Sequence, residues 1–230
     1  MKINRAIISG GGTGGHIFPA IAIADEIKKR NPLAKVLFVG AKGKMEMEKV
    51  PQAGYKIEGL EIVGFQRKFK LSNFLLPYKI IKSLLKARKI IKRFKPDIVI
   101  GVGGYASGPT LKAATYLKIP TLIQEQNGFP GKTNKLLAKS VHSICTAYDG
   151  LERFFPKEKI LLTGNPVRKE MVDIANKRDE ACAFYHMDST KPIVLIIGGS
   201  LGAKTLNRSV VNAYEALKKS DVQSHSLYSK

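Results

Sequence analysis

A cluster of glycines, Gly10-x-Gly12-x-x-Gly15, separates two stretches of opposite periodicity. Before it, Ile3 to Ser9 is a short apolar run with β-branched residues, which suits a buried parallel strand. After it, Ile17, Ala20, Ile21, Ala24 and Ile27 recur at helical spacing, and Lys28, Lys29 and Arg30 stand where the helix dipole favours cations. Lys35 to Val39 reads as the next strand, so the chain opens as a βαβ unit. Glycine permits positive φ and close backbone approach, and the unpaired N–H groups of a helix start attract an anion. Such a turn holds a phosphate, or it is a tight connection that binds nothing.

The pattern recurs. Asp97 to Ile100 reads as a strand, Gly101 to Pro109 as a second glycine-rich turn, and Leu111 to Leu117 as a helix. Pro120 to Gln124, Ser143 to Thr146 and Ile160 to Thr163 read as strands, with a helix beginning over Thr133 to Ala138. Asn165-Pro166-Val167-Arg168 breaks the rhythm and places a domain boundary after residue 165. Ile193 to Ile197, the turn Gly198-Gly199-Ser200-Leu201-Gly202 and a helix over Ala203 to Lys218 open a further unit. The polar segment after Asp221 shows no clear strand, and one βα unit cannot make a stable domain, so a fragment or an abnormal end is expected. Alternating βα units predict an α/β fold with a parallel sheet covered on both faces. Three glycine turns in one chain favour ligand binding over bare connection.

A nicotinamide enzyme of this kind places a carboxylate at the end of the second strand to hold the ribose. Here that strand ends Phe38-Val39-Gly40-Ala41-Lys42, which argues against a dehydrogenase. Thr13 can donate its hydroxyl to a phosphate, and His16 can take a proton, bind phosphate or simply cap the helix. Tyr105 and Ser107 add hydroxyls to the second turn. Two such turns in one sheet suit a single extended anionic ligand at the strand ends. The two cysteines, Cys145 and Cys182, have no metal-type spacing and read as small half-buried hydrophobes in a reducing compartment. Every apolar stretch is interrupted before about 18 residues, so a cytoplasmic protein with peripheral membrane contact is expected.

Five blocks occur together and in order: Gly11-Gly12-Thr13-Gly14-Gly15-His16-Ile17-Phe18-Pro19, Gly103 to Pro109, Glu125-Gln126-Asn127, Gly164-Asn165-Pro166-Val167-Arg168 and Gly198 to Ala203. In these the chain resembles the bacterial N-acetylglucosaminyltransferases that convert lipid I to lipid II in peptidoglycan synthesis. The resemblance runs to about residue 220. It implies a GT-B-like α/β fold of two Rossmann-like, doubly wound parallel-sheet domains, here 1–165 for acceptor and membrane and 166–230 as an incomplete nucleotide-sugar domain. The donor implied is UDP-N-acetylglucosamine, UDP-GlcNAc. The acceptor implied is undecaprenyl-diphosphate-linked muramyl pentapeptide, glycosylated at its C4 hydroxyl with inversion on the cytoplasmic face of the cell membrane. No cofactor is expected and no metal ligand is assigned.

Carried over by position, Thr13, Gly14, Gly15, Asn127, Arg168 and Ser200 match the donor-binding residues, and Gly12, Gly103, Gly104 and Ser107 face the acceptor's diphosphate. His16 is the candidate base, with Tyr105 and Glu125 as further candidates. The family's block that grips uracil, ribose and sugar, with its glutamate, has no match here. An inactive truncated product of the family is therefore the alternative.

Between Glu61 and Asp97 the chain carries eleven basic residues and no acid. Phe65, Lys68, Phe69, Lys70, Phe74 and Leu75 lie in the early part, before a helix from Pro77 whose apolar face is expected at Ile80, Ile81, Leu84, Ile91 and Phe94. Those first six residues suit contact with an anionic membrane, where each basic residue contributes about 1 kcal/mol. The net charge of +21 also admits nucleic acid, but no helix-turn-helix, zinc finger or aromatic RNA motif is present, and no nucleic-acid partner is expected. In liposome sedimentation the protein should pellet with anionic vesicles and be released by salt. Equal, salt-insensitive binding to neutral vesicles would remove the electrostatic part.

Overall fold

The computed structural model describes residues 2–62, 76–167, 174–197 and 204–227. The chain divides into two compact units, Met1–Lys169 and Glu170–Lys230. The expected membrane residues Phe65, Lys68, Phe69, Lys70, Phe74 and Leu75, and the donor residues Arg168 and Ser200, lie outside the described residues.

The first unit is built on a seven-stranded sheet: β1 (Arg5–Gly10), β2 (Lys35–Ala41), β3 (Lys56–Leu60), β4 (Ile98–Gly103), β5 (Thr121–Glu125), β6 (Ser143–Thr146) and β7 (Ile160–Leu162). Its order is β3-β2-β1-β4-β5-β6-β7, and every pairing is parallel. Parallel strands are buried on both faces, and the side-chain alternation divides this core in two. Ala6, Ile8, Phe38 and Ile100 pack under α1 (Gly14–Arg30) and α2 (Glu46–Gln52), whose Ile17, Ala20, Ile21, Ala24, Ile27 and Val50 complete that layer. Ile7, Leu37, Val39 and Val99 face α3 (Leu76–Phe94), α4 (Ser107–Tyr116) and α5 (Lys132–Leu137), which contribute Ala87, Ile91, Leu111 and Leu137. Each fully buried aliphatic side chain contributes about 1.5–3 kcal/mol.

The chain leaves β1 towards β2 on one side and leaves β4 towards β5 on the other. β1 and β4 are neighbours, so the connections after them part, and a crevice is left at their carboxyl ends. The ladder slips there. Ser9 pairs with Gly101 but Gly10 pairs with Gly103, so Val102 is the extra residue of a bulge that brings the two glycine turns together.

Several elements differ from the sequence reading. α4 begins at Ser107, four residues before the predicted start, because the glycine turn itself winds into the helix. α2 and β3 were not anticipated; β3 is short, mostly partly exposed and carries two charges. The α3 face is also shifted. Ser83, Ala87, Ile90 and Ile91 are buried, whereas Ile80 and Ile81 are 44% and 57% exposed, since helical rotation turns them off the sheet. In the second unit the segment after Asp221 does contain a strand. β9 (Gln223–Leu227) pairs in parallel with β8 (Ile193–Ile197), a backbone ladder its polar sequence does not advertise. The long helix read over Ala203 to Lys218 is two, α7 (Lys204–Asn212) and α8 (Tyr214–Lys219), and α6 (Arg178–Phe184) precedes them.

Leu111 is fully buried against β4 beneath the second turn. Leu111→Ala should destabilise the protein by about 2–5 kcal/mol in urea denaturation, through lost burial and a cavity that the close-packed sheet cannot refill. A loss under about 1 kcal/mol would contradict this packing.

Candidate functional site

The two glycine turns meet through their backbones. The Gly11 amide donates to the Gly103 carbonyl at 3.3 Å. Gly104 has φ +86°, and a Cβ there would lie 2.4 Å from the Gly11 carbonyl oxygen. Gly103, at φ +98°, lies against the ring of His16, whose Nε2 would be 2.7 Å from a Cβ. Only glycine permits both the conformation and the approach.

A buried hydroxyl layer holds this junction from behind. Ser107 is fully buried and shares its proton between the carbonyls of Ser9 at 2.6 Å and Gly103 at 3.0 Å. Ser9 donates to the Val39 carbonyl at 2.9 Å, and Thr110 donates to the Ala106 carbonyl at 2.8 Å. The Ser107 hydroxyl, expected to face a diphosphate, is thus turned into the protein and steadies the turn instead.

His16 is half-buried in the first turn of α1. Its Nδ1 lies 3.1 Å from the Gly11 carbonyl and 3.3 Å from the Thr13 hydroxyl. A carbonyl only accepts, so the bond to Gly11 is made by a proton on Nδ1, and in the neutral tautomer of that kind the lone pair lies on Nε2. Thr13 is the exposed residue before the helix; its carbonyl accepts from the amides of His16 and Ile17, while its side chain makes no capping bond. Gly14 and Gly15 open the helix, and their amides have no intrahelical carbonyl to meet. These are the donors the first turn can offer an anion.

Gly12 is not among them. Its amide donates to Glu46 Oε2 at 2.8 Å, and Oε1 of the same carboxylate accepts the Ala41 amide at 2.9 Å. Glu46 is 1% exposed. The carboxylate absent from the end of β2 in the sequence therefore returns from the start of α2, closed to solvent and spent on backbone. Sequence reasoning missed it. The signal was an acid opening a short helix, with Gly40 before it leaving room for the side chain.

Glu125 is similarly committed. It is 1% exposed, and Oε1 accepts the Asn127 backbone amide at 3.1 Å and the Asn127 side-chain amide at 3.0 Å. Oε2 accepts the Gly131 amide at 3.2 Å and Asn134 Nδ2 at 2.9 Å. Four donors make this carboxylate the organiser of the turn after β5 and leave it no free face with which to take a proton. Asn127 is exposed, with its amide nitrogen turned to Glu125 and its Oδ1 left as the outward acceptor. Tyr105 is 49% exposed at the crest of the second turn. The structure brings His16, Thr13, Gly103 and Gly104 together, and it ties the β5 turn to β4 through Gln126, which donates to the Val102 carbonyl at 3.0 Å. Among the described residues no group of three or more His, Cys, Asp or Glu side chains could hold a metal.

Residues 6–146 match the family model described as the glycosyltransferase family 28 N-terminal domain. A protein of Flavobacterium psychrophilum named UDP-N-acetylglucosamine--N-acetylmuramyl-(pentapeptide) pyrophosphoryl-undecaprenol N-acetylglucosamine transferase is 55% identical over 97% of this chain and 61% of its own length. The protein of the same name from Phocaeicola vulgatus is 58% identical over 95% of this chain and 58% of its own length. The chain thus spans about three fifths of the curated relatives it matches. Among solved structures, Acinetobacter baumannii MurG superposes with a TM-score of 0.69 at 32% identity, over 93% of this chain and 58% of that one. A UDP-GlcNAc 2-epimerase from Neisseria meningitidis shares the fold, with a TM-score of 0.61 at 16% identity.

Gly104→Ala should lower the thermal midpoint well beyond Gly150→Ala. Both residues have positive φ, which costs a side chain about 1–3 kcal/mol, but a Cβ at Gly150 meets nothing within 4 Å. Equal midpoints would mean that the approach of the two turns is not tight in solution.

Proposed function

We propose, from the premise that this chain belongs to the glycosyltransferase family 28 N-terminal domain family, that it carries the acceptor side of an inverting N-acetylglucosaminyltransferase. The donor is UDP-GlcNAc and the acceptor is undecaprenyl-diphosphate-linked muramyl pentapeptide, the lipid I to lipid II step of peptidoglycan synthesis. The names of the relatives support the substrates. The observation that carries the chemistry is the His16 ring, held at Nδ1 by the Gly11 carbonyl beside the anion-binding start of α1.

On this reading the acceptor's diphosphate lies at the crevice between the turns after β1 and β4, against the Gly14 and Gly15 amides and the exposed backbone of Gly103 and Gly104. Nε2 of His16 takes the proton of the C4 hydroxyl as its oxygen attacks the anomeric carbon. The bond to UDP breaks, its electrons leave with the diphosphate, and the configuration inverts. Thr13 and Asn127 orient oxygens of the donor, and Arg168 and Ser200 are assigned to its diphosphate by position alone. Tyr105, exposed on the second turn, is the second candidate to take that proton. The chemistry divides as residues 1–165 for acceptor and membrane and 166–230 for part of the nucleotide-sugar domain.

A lipid-linked acceptor requires docking at the cytoplasmic face of the membrane. No helix among the described residues is long and apolar enough to cross one. On α3, Tyr78, Ile81 and Leu85 are 64%, 57% and 58% exposed at positions i, i+3 and i+7, with Arg88, Lys89 and Lys92 exposed further along. Lys82 is not free for lipid. With Lys42 it pairs Glu61 and holds that carboxyl down at about 2, so the pairing survives acidification until pH falls to that value. An apolar stripe edged by cations suits an anionic interface.

With UDP-GlcNAc and a prenyl-diphosphate-linked muramyl pentapeptide, mass spectrometry should detect an acceptor longer by one N-acetylhexosamine. His16→Ala should lower kcat by about 10²–10⁴ with little change in acceptor KM, the usual worth of a positioned general base. Unchanged turnover would remove His16 from the chemistry.

A further inference from the structure

Glu46 is a buried acid beneath a site proposed to bind anions, and nothing in the transfer chemistry calls for it. Its surroundings are built around it. A Cβ on Gly40 would lie 2.6 Å from its Cγ, and a Cβ on Gly11 would lie 2.2 Å from its Cδ. Two glycines on different segments thus leave the volume its side chain fills. Its two oxygens bridge those segments by accepting Gly12 N–H from the first turn and Ala41 N–H from the end of β2. Both bonds need an oxygen acceptor.

We propose that Glu46 is a positioning residue for the phosphate site. By taking the Gly12 amide inward it sets the direction of the chain through Thr13 into α1. The amides at Gly14 and Gly15 are then presented together to the ligand, and the Gly11 carbonyl is held where it fixes His16 Nδ1. The Gly12 amide serves the protein and stays with Glu46 when the site fills. The inference rests on the acceptor-diphosphate reading above.

The test uses ¹⁵N-labelled protein and a short-chain prenyl-diphosphate-linked muramyl pentapeptide as probe, followed by amide NMR and calorimetry. In the wild type, binding should shift the Gly14 and Gly15 amide signals, while Gly12 keeps its position and its protection from hydrogen exchange. Glu46→Gln retains the shape but can offer only one accepting oxygen. It should weaken probe binding at least tenfold at a thermal midpoint within a few degrees of wild type. Gly40→Ala, which pushes on the Glu46 side chain without touching the turn, should weaken binding in the same direction. Wild-type affinity in a folded Glu46→Gln would overturn the inference and leave the site reading standing. A Gly12 signal that moves with the ligand in the wild type would overturn it without any variant. If the wild type bound no probe, the site reading and this inference would fall together.

Discussion

The contact of Gly11 with Gly103 and Gly104 is the constraint on which the site depends. It joins the turns after the two central strands, whose onward connections run to opposite sides of the sheet. Peptide backbones can approach this closely only where no side chain intervenes, so the glycines are required by the crossing itself. The bulge at Val102 supplies the offset, and the Ser107 hydroxyl donates to the Ser9 and Gly103 carbonyls that flank it. The crevice is therefore set by backbone, and side chains are hung around a position that is already determined.

Two buried acids do the setting in a protein with a net charge of +21. Glu46 and Glu125 are each 1% exposed, and each spends its oxygens on amides of the turns at the strand ends. A buried carboxylate is costly unless it is hydrogen-bonded, and each oxygen of these two accepts at least one N–H group. The arrangement separates labour. Acids organise the loops, while the amides at the start of α1 meet no intrahelical carbonyl and are the donors proposed for the ligand.

The chain belongs to a glycosyltransferase family, and the reaction proposed for it is an inverting displacement. Such a reaction asks for one base and a stabilised leaving group, and paired carboxylates have no part in it. The His16 ring, held at Nδ1 by the Gly11 carbonyl beside the start of α1, is the group proposed for the acceptor's half of that requirement.

The α/β alternation and the first two glycine turns were legible from sequence, because a period of two or 3.6 and the special φ of glycine are local properties; the turn read at residues 198–202 lies outside the described residues. So was the place of His16 in the first turn of α1, after the glycines. The five family blocks led to the family through residues that are close in the chain. The roles of Ser107, Glu125 and Glu46 were decided only by tertiary structure. Ser107 and Glu125 stand in exposed-looking turns as sequence, yet one faces the Ser9 carbonyl 98 residues away and the other is enclosed by four donors. Glu46 reaches Gly12 across 34 residues. A polar side chain in a glycine turn serves the ligand or the fold according to which backbone groups the sheet brings beside it. That depends on strand order and register, which no single stretch of sequence contains.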